Sequence, residues 1–164
     1  MLKLTDKQMA EYYRRSYTTV DGLWFMKVEE KYGFDVALDV DDAVWEVLPK
    51  IQARMLKSMG CVEGGLEALR ACLAARLTLD GFVFEIEQAD DNNELHMTIT
   101  ECPWHNVMIN AGREHLSEKV GTRICSTEYR VWASEFGENI EFELRGQICS
   151  GASHCRLLFR GLPE

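Results

Sequence analysis

The chain has 164 residues, 46% of them hydrophobic, and carries 18 Lys and Arg against 27 Asp and Glu, for a net charge of -9 and a pI near 5.0. That acidity argues against nucleic acid or an anionic membrane surface as partner, because no basic patch along the chain overrides the global sign. The length allows one sizeable core and a single domain over residues 1–164 without covalent staples; no apolar run approaches the ~18 residues of a membrane span, and the opening Met1-Leu-Lys-Leu-Thr-Asp lacks the apolar segment of a secretory signal, so the expected location is cytoplasmic.

Helices come first. Tyr13, Tyr17, Val20, Trp24 and Val28 recur at helical spacing and share one face of a helix running from about Thr5 to Tyr32, capped by Thr5 or Asp6 and closed by Gly33. Asp21-Gly22 interrupts that helix beside Trp24; a carboxylate and a helix-weakening glycine next to an aromatic stripe read equally as a ligand contact or as a close helix crossing. A second helix is predicted from Asp39 or Asp41 to Met59, with an acidic start that suits the helix dipole and Val40, Val44, Leu48, Ile51 and Met55 as its apolar stripe; Pro49 kinks or breaks it. A third runs from about Gly65 to Leu79, with Leu66, Leu69, Leu73 and Leu77 inward, and stops at Asp80-Gly81.

At Gly81 the period changes from helical to alternating, dividing a helical part, 1–80, from a part, 81–164, that holds the sheet. Phe82, Phe84 and Ile86, then Leu95, Met97 and Ile99, form the apolar faces of a hairpin around Asp90-Asp-Asn-Asn93. That turn places acids and amides at positions one, three, five and twelve of a calcium loop, but Leu95 stands where such a loop needs glycine, so it reads as a turn. A fourth helix from about Glu114 to Phe136 sets Cys125, Tyr129, Trp132 and Phe136 on one face, and strands through Ile140, Phe142, Leu144 and then Leu157, Phe159 close the chain. Helices followed by a four-stranded, mostly antiparallel sheet with a long helix packed across it make an α+β domain.

Cysteine usage carries the chemistry. In a reducing compartment a thiol cluster points to metal or to reactivity rather than to disulfides. Cys61, in a turn, and Cys72, in a Leu/Ala-rich helix, read as ordinary surface or core residues. Cys102 closes a strand that Pro103 stops, Cys149 and Cys155 flank the small loop Ser150-Gly-Ala-Ser-His154, and Cys125 arrives from the covering helix. Four thiolates from separate elements suit the tetrahedral preference of zinc, with an iron–sulfur cluster as the alternative, and His105 or His154 could replace one sulfur. A rival assignment makes Cys102 a nucleophile with His105 as its base. Asp21, Trp24, Trp104, Tyr129 and Trp132 are the candidate lining of an apolar ligand pocket, or else plain core.

The strings Tyr17-Thr-Thr-Val-Asp21-Gly22-Leu-Trp24-Phe25, Glu30-Lys-Tyr-Gly33-Phe34, Val44-Trp45, Cys102-Pro-Trp104 and the Cys149–Cys155 loop resemble an uncharacterised family of prokaryotic cytosolic proteins related to aminothiazoline-carboxylate hydrolases. Residues from about Gly81 to Arg160 also resemble the vinyl-4-reductase-like small-molecule-binding domain. That second resemblance implies an α/β sandwich in which Cys125, Cys149 and Cys155 bind zinc beside a pocket for an aromatic or hydrophobic molecule. Where aromatic sensors of that group place a glutamate three residues before the first hairpin cysteine, this chain has Gly146, which leaves Cys102 as the fourth ligand. The expected function is a zinc-binding domain that holds a small organic ligand, the metal being structural; the alternatives are a hydrolase of small cyclic amide or thiazoline substrates and an iron–sulfur sensor or redox protein. Self-association into a homodimer is left open.

Overall fold

A computed structural model describes residues 2–88 and 93–162. Asp90–Asn92 of the acidic turn lie outside the described residues. The chain divides into two compact units, Met1–Asp41 and Asp42–Glu164.

The first unit is dominated by α1 (Asp6–Tyr32), which opens on a reciprocal capping box. The Gln8 backbone N–H donates to Thr5 Oγ1, and the Thr5 backbone N–H donates to Gln8 Oε1. It ends at Gly33, whose φ of 89° a side-chain-bearing residue rarely adopts. No residue of α1 is buried. The stripe legible in the sequence is largely open to solvent, with Tyr13 70%, Val20 65% and Trp24 39% exposed. Helix α2 (Phe34–Trp45) starts directly after Gly33, earlier than the expected Asp39 or Asp41, and crosses the unit boundary. Phe34 packs edge-on against Phe25 at 5.7 Å.

Pro49 does break the expected second helix. The chain turns at Glu46–Val47, and α3 (Leu48–Gly60) begins with proline in its first turn, where the missing N–H has no partner to lose. The burial of α2 and α3 is opposite to the apolar pattern. Val40, Val44, Ile51 and Met55 are exposed, whereas Ala37, Leu38, Trp45, Pro49 and Ala53 are buried.

In the larger unit α4 (Leu66–Asp80) buries Leu69, Leu73 and Leu77 and stops at Gly81 in the left-handed region. Strands β1 (Val83–Gln88), β2 (Glu94–Glu101), β3 (Ile140–Arg145) and β4 (Cys155–Gly161) form one antiparallel sheet in the order β1-β2-β4-β3. Period-two alternation puts Leu95, Met97 and Ile99 of β2 in the core, and the central position of β4 buries Leu157, Leu158 and Phe159 in succession. Between the two hairpins run α5 (Pro103–Asn110), which the sequence reading did not contain, and α6 (Glu114–Ser134). Helix α6 lays Tyr129 against Phe142 (5.7 Å) and buries Trp132, whose ring stacks on Phe136 (6.0 Å, 9°). The α+β layout of helices and a four-stranded sheet is therefore as expected. Among the described residues no helix is long and apolar enough to cross a membrane.

Candidate functional site

The register places three of the four cysteines at one end of the sheet. Ile99 of β2 pairs with Cys155, the first residue of β4, so Cys102 lies just beyond β2 on the same edge. Arg145 at the end of β3 pairs with Arg156, and the chain then enters a short 3₁₀ turn, Ile148–Ser150, that carries Cys149. Helix α6 packs over that turn, bringing Cys125 to it.

The thiols are close enough to act on one another. The Cys125 thiol feels Glu128 and then each of the other three cysteines, and burial, the largest cause, pushes it well above its usual range. Burial also raises Cys102, to about 11, against N–H groups of His105 and Trp104 that favour its thiolate. Cys149 and Cys155 are raised by burial as well; the Ile148 N–H donates to Cys155 Sγ at 3.3 Å. Four soft donors of this kind suit a thiophilic ion. Their present placement is not a ligand shell, since no group of three or more His, Cys, Asp or Glu side chains among the described residues is arranged to hold a metal. Neutral buried thiols attract one another weakly, so nothing in the protein alone draws four sulfurs to ligating distance.

Gly121 keeps this corner tight. A Cβ built there would sit 2.6 Å from Cys149 Sγ. Gly121→Ala, which in an open helix would add about 1 kcal/mol, is instead expected to destabilise by about 1–3 kcal/mol through overpacking, read as a fall in thermal midpoint.

The histidines face elsewhere. His105 Nδ1 is hydrogen-bonded to the buried Ser117 hydroxyl at 2.6 Å, and His154, at an exposed position, to Ser153 at 2.9 Å. Cys102 receives the His105 backbone N–H, while its raised pKa is the reverse of what an activated nucleophile needs.

A buried charge cluster lies behind the sulfurs. Arg76 of α4, 2% exposed, pairs with Glu128 of α6, 5% exposed, and with Asp80 at 2.9 Å, while its guanidinium stands over the Phe82 ring at 5.4 Å. Sequence reasoning passed over all three charges. The signal was present, because Arg76 falls on the Leu69-Leu73-Leu77 face and Glu128 one turn from Cys125 on the inward face of α6.

Of the candidate pocket residues, Trp104, Tyr129 and Trp132 belong to the larger unit. Trp104 packs edge-on against Trp45 (5.9 Å, 89°), and Tyr129 is buried with its phenol pushed well above its usual range by burial and by Glu128. Trp132 is fully buried, and its indole Nε1–H has no acceptor among the described residues. Asp21 and Trp24 belong to the other unit.

Partial loss of solvent around Asp21, which is half-buried, pushes its carboxyl up to about 6 from 3.8. A folded pKa above the unfolded one means that the protonated carboxyl favours folding, so this contribution is full below about pH 4 and is lost as pH rises through about 6. Asp21→Asn is expected to abolish that part of the pH dependence, roughly 1–1.5 kcal/mol at most over this window, measured as the difference in unfolding free energy between pH 5 and pH 7.5.

No curated protein matches the chain. Among solved structures, a crystal structure of the phenol-responsive sensory domain of the transcription activator PoxR with phenol is similar in fold, with a TM-score of 0.51 and 13% identity over 88% of this chain and 73% of that one. Of the resemblances drawn from sequence, what these comparisons carry is a likeness in fold and a family of unknown function. A family model matches residues 5–155, and the chain belongs to that family, described as a family of unknown function (DUF6125).

Proposed function

We propose that this chain is a small-molecule-binding domain whose larger unit takes an aromatic or hydrophobic molecule beside Trp132. The observation that carries this reading is the orphaned indole donor. Leaving a buried N–H without an acceptor costs about 1–3 kcal/mol, and Trp132 Nε1 lies in apolar surroundings formed by Tyr129, Phe136 and the sheet. A ligand with an apolar body and one acceptor oxygen recovers that cost and keeps the surroundings dry. The fold neighbour is a phenol-responsive sensory domain, which makes phenol the first probe. Calorimetric titration is expected to show phenol or a substituted phenol binding to the wild-type chain and at least about tenfold more weakly to Trp132→Phe, the equivalent of one hydrogen bond. Equal binding by the two proteins, or no binding of any phenol at millimolar concentration, overturns the reading.

The same proposal gives Cys102, Cys125, Cys149 and Cys155 a structural zinc. The support is their convergence on one sheet end and the softness of the donor set; the ion would supply the attraction that draws the sulfurs together and would clamp the last hairpin. Metal analysis of protein purified under reducing conditions is expected to give stoichiometric zinc and no colour. Iron with visible absorption would assign the sulfurs to an iron–sulfur cluster instead. Metal-free protein with unchanged stability after zinc addition removes the clamp.

A further inference from the structure

We infer that the chain pairs with a second copy of itself through α1, the two helices running antiparallel. Six large apolar side chains are exposed along that helix: Met9 41%, Tyr12 63%, Tyr13 70%, Val20 65%, Leu23 48% and Trp24 39%. At 100° per residue all six fall within a sector of about 120°. The charged residues between Met9 and Trp24 lie outside it, and Glu11 pairs there with Arg14 and Arg15. Met9, Tyr13, Ser16, Val20 and Leu23 alternate by four and three, the repeat of a two-stranded helical seam, with Tyr12 and Trp24 flanking it.

Size and charge both select a second copy. With full side chains of ~150–250 Å², the exposed parts of the six come to roughly 600 Å². A stable interface takes about 800 Å² per partner, and the aliphatic stems of Lys27 and Lys31, which continue the sector, extend the contact. The first turn carries Asp6 and the last Lys31. Antiparallel pairing about the middle of the helix sets Tyr13 near Trp24 of the second copy and Asp6 near Lys27 and Lys31. Parallel pairing would set Asp6 against Asp6 and align the two helix dipoles unfavourably.

Sedimentation of the full chain under reducing conditions tests this. The wild type is expected to be a dimer at tens of micromolar, and Val20→Glu with Leu23→Glu to raise the dissociation constant on the order of 100-fold or more, because each buries an unpaired charge in the seam. A second set does not depend on the seam staying helical. Asp6→Lys and Lys31→Asp are each expected to weaken the dimer by about three- to tenfold at low salt, and the double swap to restore it. A wild-type monomer at 100 µM, a dimer unmoved by the two seam glutamates, or single swaps that the double swap fails to rescue would each overturn the pairing.

Discussion

Glu128→Ala is expected to cost about 3–5 kcal/mol of unfolding free energy, more than any exposed charge in the chain. The reason is asymmetry. A buried ion pair is a weak net stabiliser because both charges lost their water, yet removing one partner leaves the other desolvated and unneutralised. Arg76 is 2% exposed, with Glu128 at one Nη of its guanidinium and Asp80 at Nε. Taking the Glu128 carboxylate away leaves a buried cation with half of its local compensation, and leaves a gap beside Cys125. Exposed pairs such as Lys27–Glu30 and Arg145–Glu143 contribute ~0–1 kcal/mol at most. Denaturant unfolding of Glu128→Ala, Arg76→Met and the double variant Arg76→Met with Glu128→Leu reads the difference. Each single substitution is expected to be strongly destabilising, and the double one to recover most of the loss, since an apolar pair of similar volume carries no desolvation cost. Two single variants within about 1 kcal/mol of wild type would show that the cluster is solvated in solution and contributes nothing to the core.

The elements that were legible in the sequence are those whose local and tertiary preferences agree. Thr5 capping closes a reciprocal box, and the Leu69-Leu73-Leu77 face of α4, the alternation of Leu95, Met97 and Ile99, and the Tyr129-Trp132-Phe136 face of α6 all end in buried positions. The stripes on α1, α2 and α3 were legible as periodicity but not as burial. Periodicity reports that one face is apolar, not what covers it, and on α2 and α3 the buried positions are instead Ala37, Leu38, Trp45, Pro49 and Ala53, three of which pattern reading discounts as too small or as a helix breaker. Helix α5 was hidden by its length, eight residues that allow a stripe of only Trp104, Val107 and Met108; a further signal was Pro103 at the first helical position after Cys102. For the site, strand ends and an inward helix face pointed the cysteines to one end of the sheet, because the alternation on β2 fixes its register against β4. Distances between sulfurs depend on side-chain placement, which no sequence spacing encodes. Arg76 and Glu128 were missed for the opposite reason: charged residues on an apolar face are usually at its margin, and only the structure shows that these two neutralise each other across α4 and α6.

Trp132 separates structure from binding in one residue. Trp132→Ala is expected to destabilise by about 3–5 kcal/mol, the range for emptying a fully buried aromatic position, since the ring stacks on Phe136 and sits at the centre of the core cluster. Trp132→Phe behaves differently. It loses the benzo edge of the indole, which costs apolar contact, but it also removes a donor that has no acceptor, which returns part of about 1–3 kcal/mol. The two terms have opposite sign and similar size, so the ligand-free phenylalanine variant is expected to unfold within about 1.5 kcal/mol of wild type. Adding phenol then distinguishes them. A ligand that binds only the folded state raises the apparent stability by about 2.7 kcal/mol at a hundredfold excess over its dissociation constant, and a variant whose affinity is tenfold weaker forfeits about 1.4 kcal/mol of that gain at the same concentration. Thermal unfolding with and without phenol is therefore expected to show a clear upward shift for wild type and a smaller one for Trp132→Phe, from nearly equal starting points. If the phenylalanine variant is as destabilised as alanine before any phenol is added, the indole is a packing element with a satisfied N–H, and the ligand has to be sought elsewhere in the unit.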